Sequence, residues 1–174
     1  GLIMSGLTLS PLIGKSYSSI YGQTAPSNKV KVALIGCRSM GYGDLNTFLD
    51  YPETECVALC DVDDEWLNKR AADVEKKTGK KVYKDWRRVI DNKDVDVVII
   101  GTPDHWHCLP TVWACQAGKD VYVEKPLSNT IEECNLMEKA ARKYNRIVQV
   151  GQWQRSDPHW QDAMQFVHSG QLGK

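Results

Sequence analysis

Val30-Lys31-Val32-Ala33-Leu34-Ile35-Gly36-Cys37-Arg38-Ser39-Met40-Gly41 is the stretch that decides the fold. Apart from Lys31, the residues before Gly36 are apolar and read as a buried strand. Gly36 and Gly41 then bracket a turn, and Asp44 to Leu49 continues as a helix. A strand, a glycine-bracketed turn and a helix in immediate succession open a βαβ unit.

Outward from this stretch the alternation continues. Cys56 to Cys60 reads as a second strand. Asp63 then caps a helix that carries Leu67, Ala71 and Val74 at helical spacing and stops at Gly79. Val82-Tyr83 is a short strand, followed by a helix from Trp86 to Ile90. Val95 to Ile100 is almost wholly apolar, as a parallel strand buried on both faces must be. A helix from His107 to Ala117 ends at Gly118, and Val121 to Val123 is the next strand. Thr130 and Glu133 form a capping box for a helix with Leu136, Met137, Ala140, Ala141 and Tyr144 on one side. Ile147 to Val150 is the last strand. The rhythm predicts a doubly wound α/β fold on a parallel sheet over residues 29–151.

The flanks differ. Gly1 to Gly14 carries no charge and is rich in Leu and Ile, and Ser16 to Ser27 is rich in Ser, Tyr, Gly and Pro. The apolar run is too short to span a bilayer. Residues 1–28 are expected to be the remnant of an export signal, which implies a periplasmic or other exported location. An arm that packs on a neighbouring subunit, or a non-native leader on a cytoplasmic protein, is the alternative. Residues 152–174 read as a linker and a helix from Pro158 to Val167, expected to bridge to a second α+β domain.

Bulk composition narrows the function. The 174 residues suffice for one domain with a good core. Lys plus Arg equals Asp plus Glu at 22 each, so no net field draws nucleic acid or an anionic membrane. The six cysteines include no Cys-x-x-Cys pair and read as small buried hydrophobes. No carboxylate and histidine set has metal-ligand spacing. Of the six tryptophans, Trp106, Trp153 and Trp160 fall near the proposed crevice, where a flat face can also pack on a sugar.

Four elements carry candidate chemistry. In a dinucleotide loop one glycine makes the tight turn and another lets helix and strand approach, while the pyrophosphate rests on the helix N-terminus. Gly36 and Gly41 take those two places, with Met40 beside them. Arg38 stands where the middle glycine would be. Asp61 lies about 25 residues beyond Gly36 at the end of the second strand, where a carboxylate accepts from ribose hydroxyls and repels a 2′-phosphate. That favours NAD over NADP, although Arg38 is able to accommodate the extra phosphate. Thr102-Pro103 makes a tight turn after the fourth strand. His107 either faces the nicotinamide pocket or caps the next helix, and His105 is either solvent-exposed or caps that helix. Glu124-Lys125-Pro126 ends the fifth strand at the rim where such sheets bind ligands. Lys125 is the candidate proton carrier, shifted toward its neutral form by burial and by a cationic nicotinamide. Glu124 either orients it or is structural.

Together these elements resemble the family of glucose–fructose oxidoreductase and inositol dehydrogenase (Gfo/Idh/MocA), over residues 29–174. The resemblance implies a Rossmann domain that binds NAD(P), with Gly36, Arg38, Met40, Gly41, Asp61, Thr102, Pro103, His107, Glu124 and Lys125 around the cofactor. It implies hydride transfer from a sugar, cyclitol or related polyol, with Lys125 beside the nicotinamide and the substrate hydroxyl. It also implies a following open-faced sheet domain that supplies further catalytic residues and the interface of a homo-oligomer. Rival readings are a glycosidase or lyase that uses NAD for transient oxidation, and a non-catalytic dinucleotide-binding module.

Overall fold

The computed structural model describes residues 28–75 and 81–173. The segment read as an export-signal remnant (residues 1–27) and the helix stop at Gly79 lie outside the described residues. Six strands, β1 (Val30–Ile35), β2 (Thr54–Cys60), β3 (Lys81–Tyr83), β4 (Val97–Ile100), β5 (Asp120–Glu124) and β6 (Val148–Gly151), form one sheet in the order β3-β2-β1-β4-β5-β6. Every pairing is parallel. This is a Rossmann fold, and its strand order reverses between β1 and β4, which leaves a crevice at their C-terminal ends.

Alternation along the strands sorts side chains onto two faces. Val32, Leu34, Cys56, Leu59 and Ile99 pack with Leu45 of α1 (Ser39–Leu49) and with Leu67 and Val74 of α2 (Asp64–Glu75). Ala33, Ile35, Ala58, Val98, Ile100 and Val123 meet α3 (Trp86–Ile90), α4 (Cys108–Gln116) and α5 (Ile131–Lys143) through Val89, Ala114, Met137 and Ala140. The five cysteines other than Cys134 are buried, and all six are free. Burial pushes the thiols of Cys37 and Cys60 up to about 12, so both act as small apolar residues.

Some expected boundaries shift. Helix α1 begins at Ser39, well before Asp44, because Gly41 lies within its first turn. A 3₁₀ turn (Asp104–Trp106) precedes α4. The capping box at α5 closes on one side only. Thr130 Oγ1 accepts from the Glu133 backbone N–H, but the Glu133 carboxylate takes the Ser128 hydroxyl. Helix α6 (Pro158–His168) buries none of its residues, and Trp160, Met164, Phe166 and Val167 are exposed along it. No helix among the described residues is long and apolar enough to cross a membrane.

Three glycines set the approach of α1 to the sheet. Gly36, at φ +90°, turns the chain out of β1 in a conformation that side chains resist. A Cβ on Gly41 would lie 2.3 Å from the Gly36 carbonyl oxygen and 3.1 Å from Gly101 Cα, and one on Gly101 would lie 2.4 Å from Gly41 Cα. Gly41→Ala is therefore expected to destabilise the domain by about 1–3 kcal/mol through overpacking. Gly43→Ala, in the same helix with nothing within 4 Å of its added methyl, should be neutral or stabilising. Urea unfolding compares them, and equal effects would refute the packing argument.

Candidate functional site

The N-terminus of α1 opens on the crevice without a side-chain cap. Its N-cap is Arg38, at φ −86° and ψ 165°. A guanidinium has no acceptor, so it cannot take the helix's first amides. By contrast, Asp63 accepts from Glu65 and Trp66 N–H at α2, and Asp85 from Arg87 N–H at α3. The first-turn amides of α1 and the positive end of its dipole thus remain available to an anion.

A cleft of about 580 Å³ runs along the C-terminal rim. Four consecutive turns line it: Gly36 and Arg38 after β1, Asp61 and Asp63 after β2, Trp86 and Arg87 after β3, and Thr102, Pro103 and Trp106 after β4. The Asp61 carboxylate ties two of these turns together. Its Oδ2 accepts from Cys37 N–H at 2.7 Å and its Oδ1 from Asp63 N–H at 3.0 Å. Each oxygen keeps a further lone pair. Arg38 is ion-paired with Asp63. The guanidinium holds the Asp63 carboxyl below the usual carboxylate range, and the cap bonds from Trp66 and Glu65 add to the effect.

The other candidates sit along the same rim toward β5 and β6. Lys125 leaves β5 through a cis peptide to Pro126. It is exposed, and no side-chain partner of its amine is found among the described residues. The burial expected to favour its neutral form is therefore not supplied by this part of the chain. Glu124 is buried, and its Oε2 accepts from the Lys125 backbone N–H at 3.2 Å, so it fixes the backbone of Lys125. His107 is only 1% exposed, and its ring nitrogens lie 2.8 Å from the carbonyl oxygens of Thr102 and Pro126. It stands at the N-cap position of α4, but its ring makes no cap bond there and does not line the cleft. It struts the Thr102-Pro103 turn against the Lys125-Pro126 turn.

Of the sequence candidates, the cleft brings together Gly36, Arg38, Asp61, Thr102 and Pro103. Gly41 lies buried behind the loop, and Met40 is exposed in α1. His107, Glu124 and Lys125 do not line the cleft. Trp106 does, but Trp153 and Trp160 do not. Sequence reasoning missed Trp86 and Arg87 as lining residues, and it read Asp63 only as a cap. The available signal was position, since each lies within four residues of a strand's end at the same rim as Asp61.

Asp44 and Glu124 form an interacting pair of partly or fully buried acids. Glu124 Oε1 and Asp44 Oδ2 are buried without hydrogen-bond partners among the described residues. Glu124 Oε1 crowds Gly151, where a Cβ would meet it at 2.2 Å and the Tyr122 hydroxyl at 3.1 Å. Burial, then the charge of Glu124, pushes Asp44 up to about 7. Burial and the same two carboxylates push Tyr122 up to about 12.

An uncapped helix end, a glycine cradle that a Cβ would fill and a ribose-type carboxylate on one rim fit a dinucleotide. Residues 30–152 match the family model described as oxidoreductase family, NAD-binding Rossmann fold. The chain is 31% identical over 154 residues to glycosyl hydrolase family 109 protein 1 of Shewanella sp. (strain ANA-3), covering 84% of this chain and 33% of that protein. It is 31% identical over 149 residues to scyllo-inositol 2-dehydrogenase (NAD(+)) of Bacillus subtilis (strain 168), covering 84% and 42%. The crystal structure of myo-inositol 2-dehydrogenase from Lactobacillus plantarum superposes with a TM-score of 0.74 at 26% identity, covering 84% of this chain and 43% of that one. The chain thus spans well under half the length of these relatives.

Asp44 makes stability depend on pH. A carboxyl raised from its ordinary value to about 7 holds its proton longer in the folded state than in the unfolded state. Its contribution is complete below about pH 4 and fades as pH rises through about 7. Asp44→Asn should therefore flatten this part of the stability profile and add roughly 1 kcal/mol at pH 8, after discounting for partial exposure. Parallel profiles for the two proteins in thermal melts between pH 4 and pH 8 would contradict this.

Proposed function

The chain belongs to the Gfo/Idh/MocA oxidoreductase family, and on that premise we propose that it is the cofactor-binding half of an NAD-dependent dehydrogenase of a sugar, cyclitol or related polyol. The observation that carries this reading is the uncapped N-terminus of α1 at a cleft whose next turn presents Asp61. The α1 amides receive the pyrophosphate, and the free lone pairs of Asp61 receive the adenosine ribose hydroxyls. Trp86, Arg87, Pro103 and Trp106 offer flat or apolar surface for the adenine. The bound cofactor supplies the ring that accepts hydride.

We assign the proton to Lys125. It stands one strand beyond the cleft along the rim, with its backbone held by Glu124 and its turn strutted by His107. As a free amine it takes the proton of a substrate hydroxyl, and as an ammonium it returns it to a carbonyl oxygen. The shielding this requires comes from bound cofactor and substrate and from a domain outside this chain, because Lys125 is exposed here. The name of the Bacillus relative, an inositol dehydrogenase using NAD(+), supports both the substrate class and the cofactor. Equal identity to the Shewanella glycosyl hydrolase favours a second reading, in which the same site oxidises a sugar hydroxyl transiently during glycoside cleavage. Free sugar released without net NADH would select it.

Isothermal titration tests the cofactor half directly. NAD should bind the chain, and Asp61→Ala should weaken it by about tenfold or more as the charge-assisted ribose bonds are lost. No heat with NAD or NADP would refute the reading. In the full-length protein, Lys125→Met should lower kcat by at least about 100-fold. A rate within a few-fold of the parent would remove the amine from the chemistry.

A further inference from the structure

Arg38 departs from the usual glycine of a dinucleotide loop and brings a cation close to where the adenosine ribose would lie. A free guanidinium there, with five N–H donors, is a ready partner for a 2′-phosphate. The structure does not leave it free. Arg38 is ion-paired with Asp63, and its guanidinium carbon lies 5.6 Å from the centroid of the Trp66 ring on α2. Arg38, Asp61 and Asp63 all line the same cleft.

We propose that Asp63 sets the preference for NAD over NADP, by engaging the Arg38 guanidinium and by placing a second carboxylate beside Asp61. The inference rests on the dinucleotide reading above. Asp63 is fixed for this task by bonds that do not involve Arg38. Its backbone N–H donates to Asp61 Oδ1 at 3.0 Å, and its Oδ1 accepts from Glu65 N–H at 3.0 Å as the cap of α2. Its other oxygen, Oδ2, faces the guanidinium. A 2′-phosphate entering here meets two carboxylates and a cation whose charge is already matched, whereas a 2′-hydroxyl needs only an acceptor. The depressed carboxyl of Asp63 agrees with a pair that is ionised at neutral pH. The Arg38 and Asp63 side chains are 61% and 31% exposed, so the pair adds little to stability. Its consequence lies in where it holds a charge.

The test measures Kd for NAD and NADP with the full chain and takes their ratio, NADP over NAD. Asp63→Asn keeps the cap oxygen but removes the charge, and the ratio should fall by about tenfold or more as Arg38 is released to the phosphate. Adding Arg38→Gln to that variant should return the ratio to the parent value or above. Arg38→Gln alone should raise it, because Asp63 is then an unmatched charge. A ratio that stays within about twofold in Asp63→Asn overturns the proposal, as does an equal fall in the double variant. If the parent chain binds neither nucleotide, the dinucleotide reading itself fails, a different result from binding with an unmoved ratio.

Discussion

The site depends on how closely the backbone of α1 approaches the sheet at the switch point. Gly36, Gly41 and Gly101 come from a turn, a helix and the end of a strand, and none has room for a methyl group. Their contact brings the first turn of α1 over the C-terminal ends of β1 and β4, so the helix amides open on the crevice. Hydrogen bonds that extend the ladders past the strand ends keep the rim in register. Gly36 N–H donates to Cys60 O, and Gly101 N–H to Ile35 O, each at 2.9 Å.

Electrostatics at the rim divides between its two ends. Around the first turns, carboxylates are held in fixed directions by backbone donors and by Arg38. Toward β5 and β6, Asp44 and Glu124 carry buried oxygens without partners among the described residues, and Glu124 directly precedes Lys125. The first arrangement suits recognition of hydroxyl groups. The second packs two carboxyl groups behind the strand end from which Lys125 leaves.

Strands β1 and β4 were legible because a nearly continuous apolar run is a local property that marks a strand buried on both faces, and both clusters draw on them. Asp61 and the glycines were legible because strand, turn and helix are contiguous in the chain. What escaped is non-local or depends on solvent access. The burial of His107 follows from the Pro126 carbonyl, 19 residues away. The exposure of Lys125 depends on what covers the rim, which no residue near Lys125 encodes. Gly41 was read as the end of a turn, yet it is a helical residue, because the same small side chain serves either place. Glu133 had a nearer competitor in Ser128, and a spacing rule cannot rank the two.

The central claim is that one extended cofactor spans this rim, from the Asp61 turn to the Lys125 turn. A crystal structure of the chain grown with NADH measures this. The claim requires the pyrophosphate on the α1 amides, the adenosine ribose on Asp61 and the nicotinamide beside the amine of Lys125. A dinucleotide bound elsewhere, or one whose nicotinamide lies on the face of the sheet away from that amine, would contradict it.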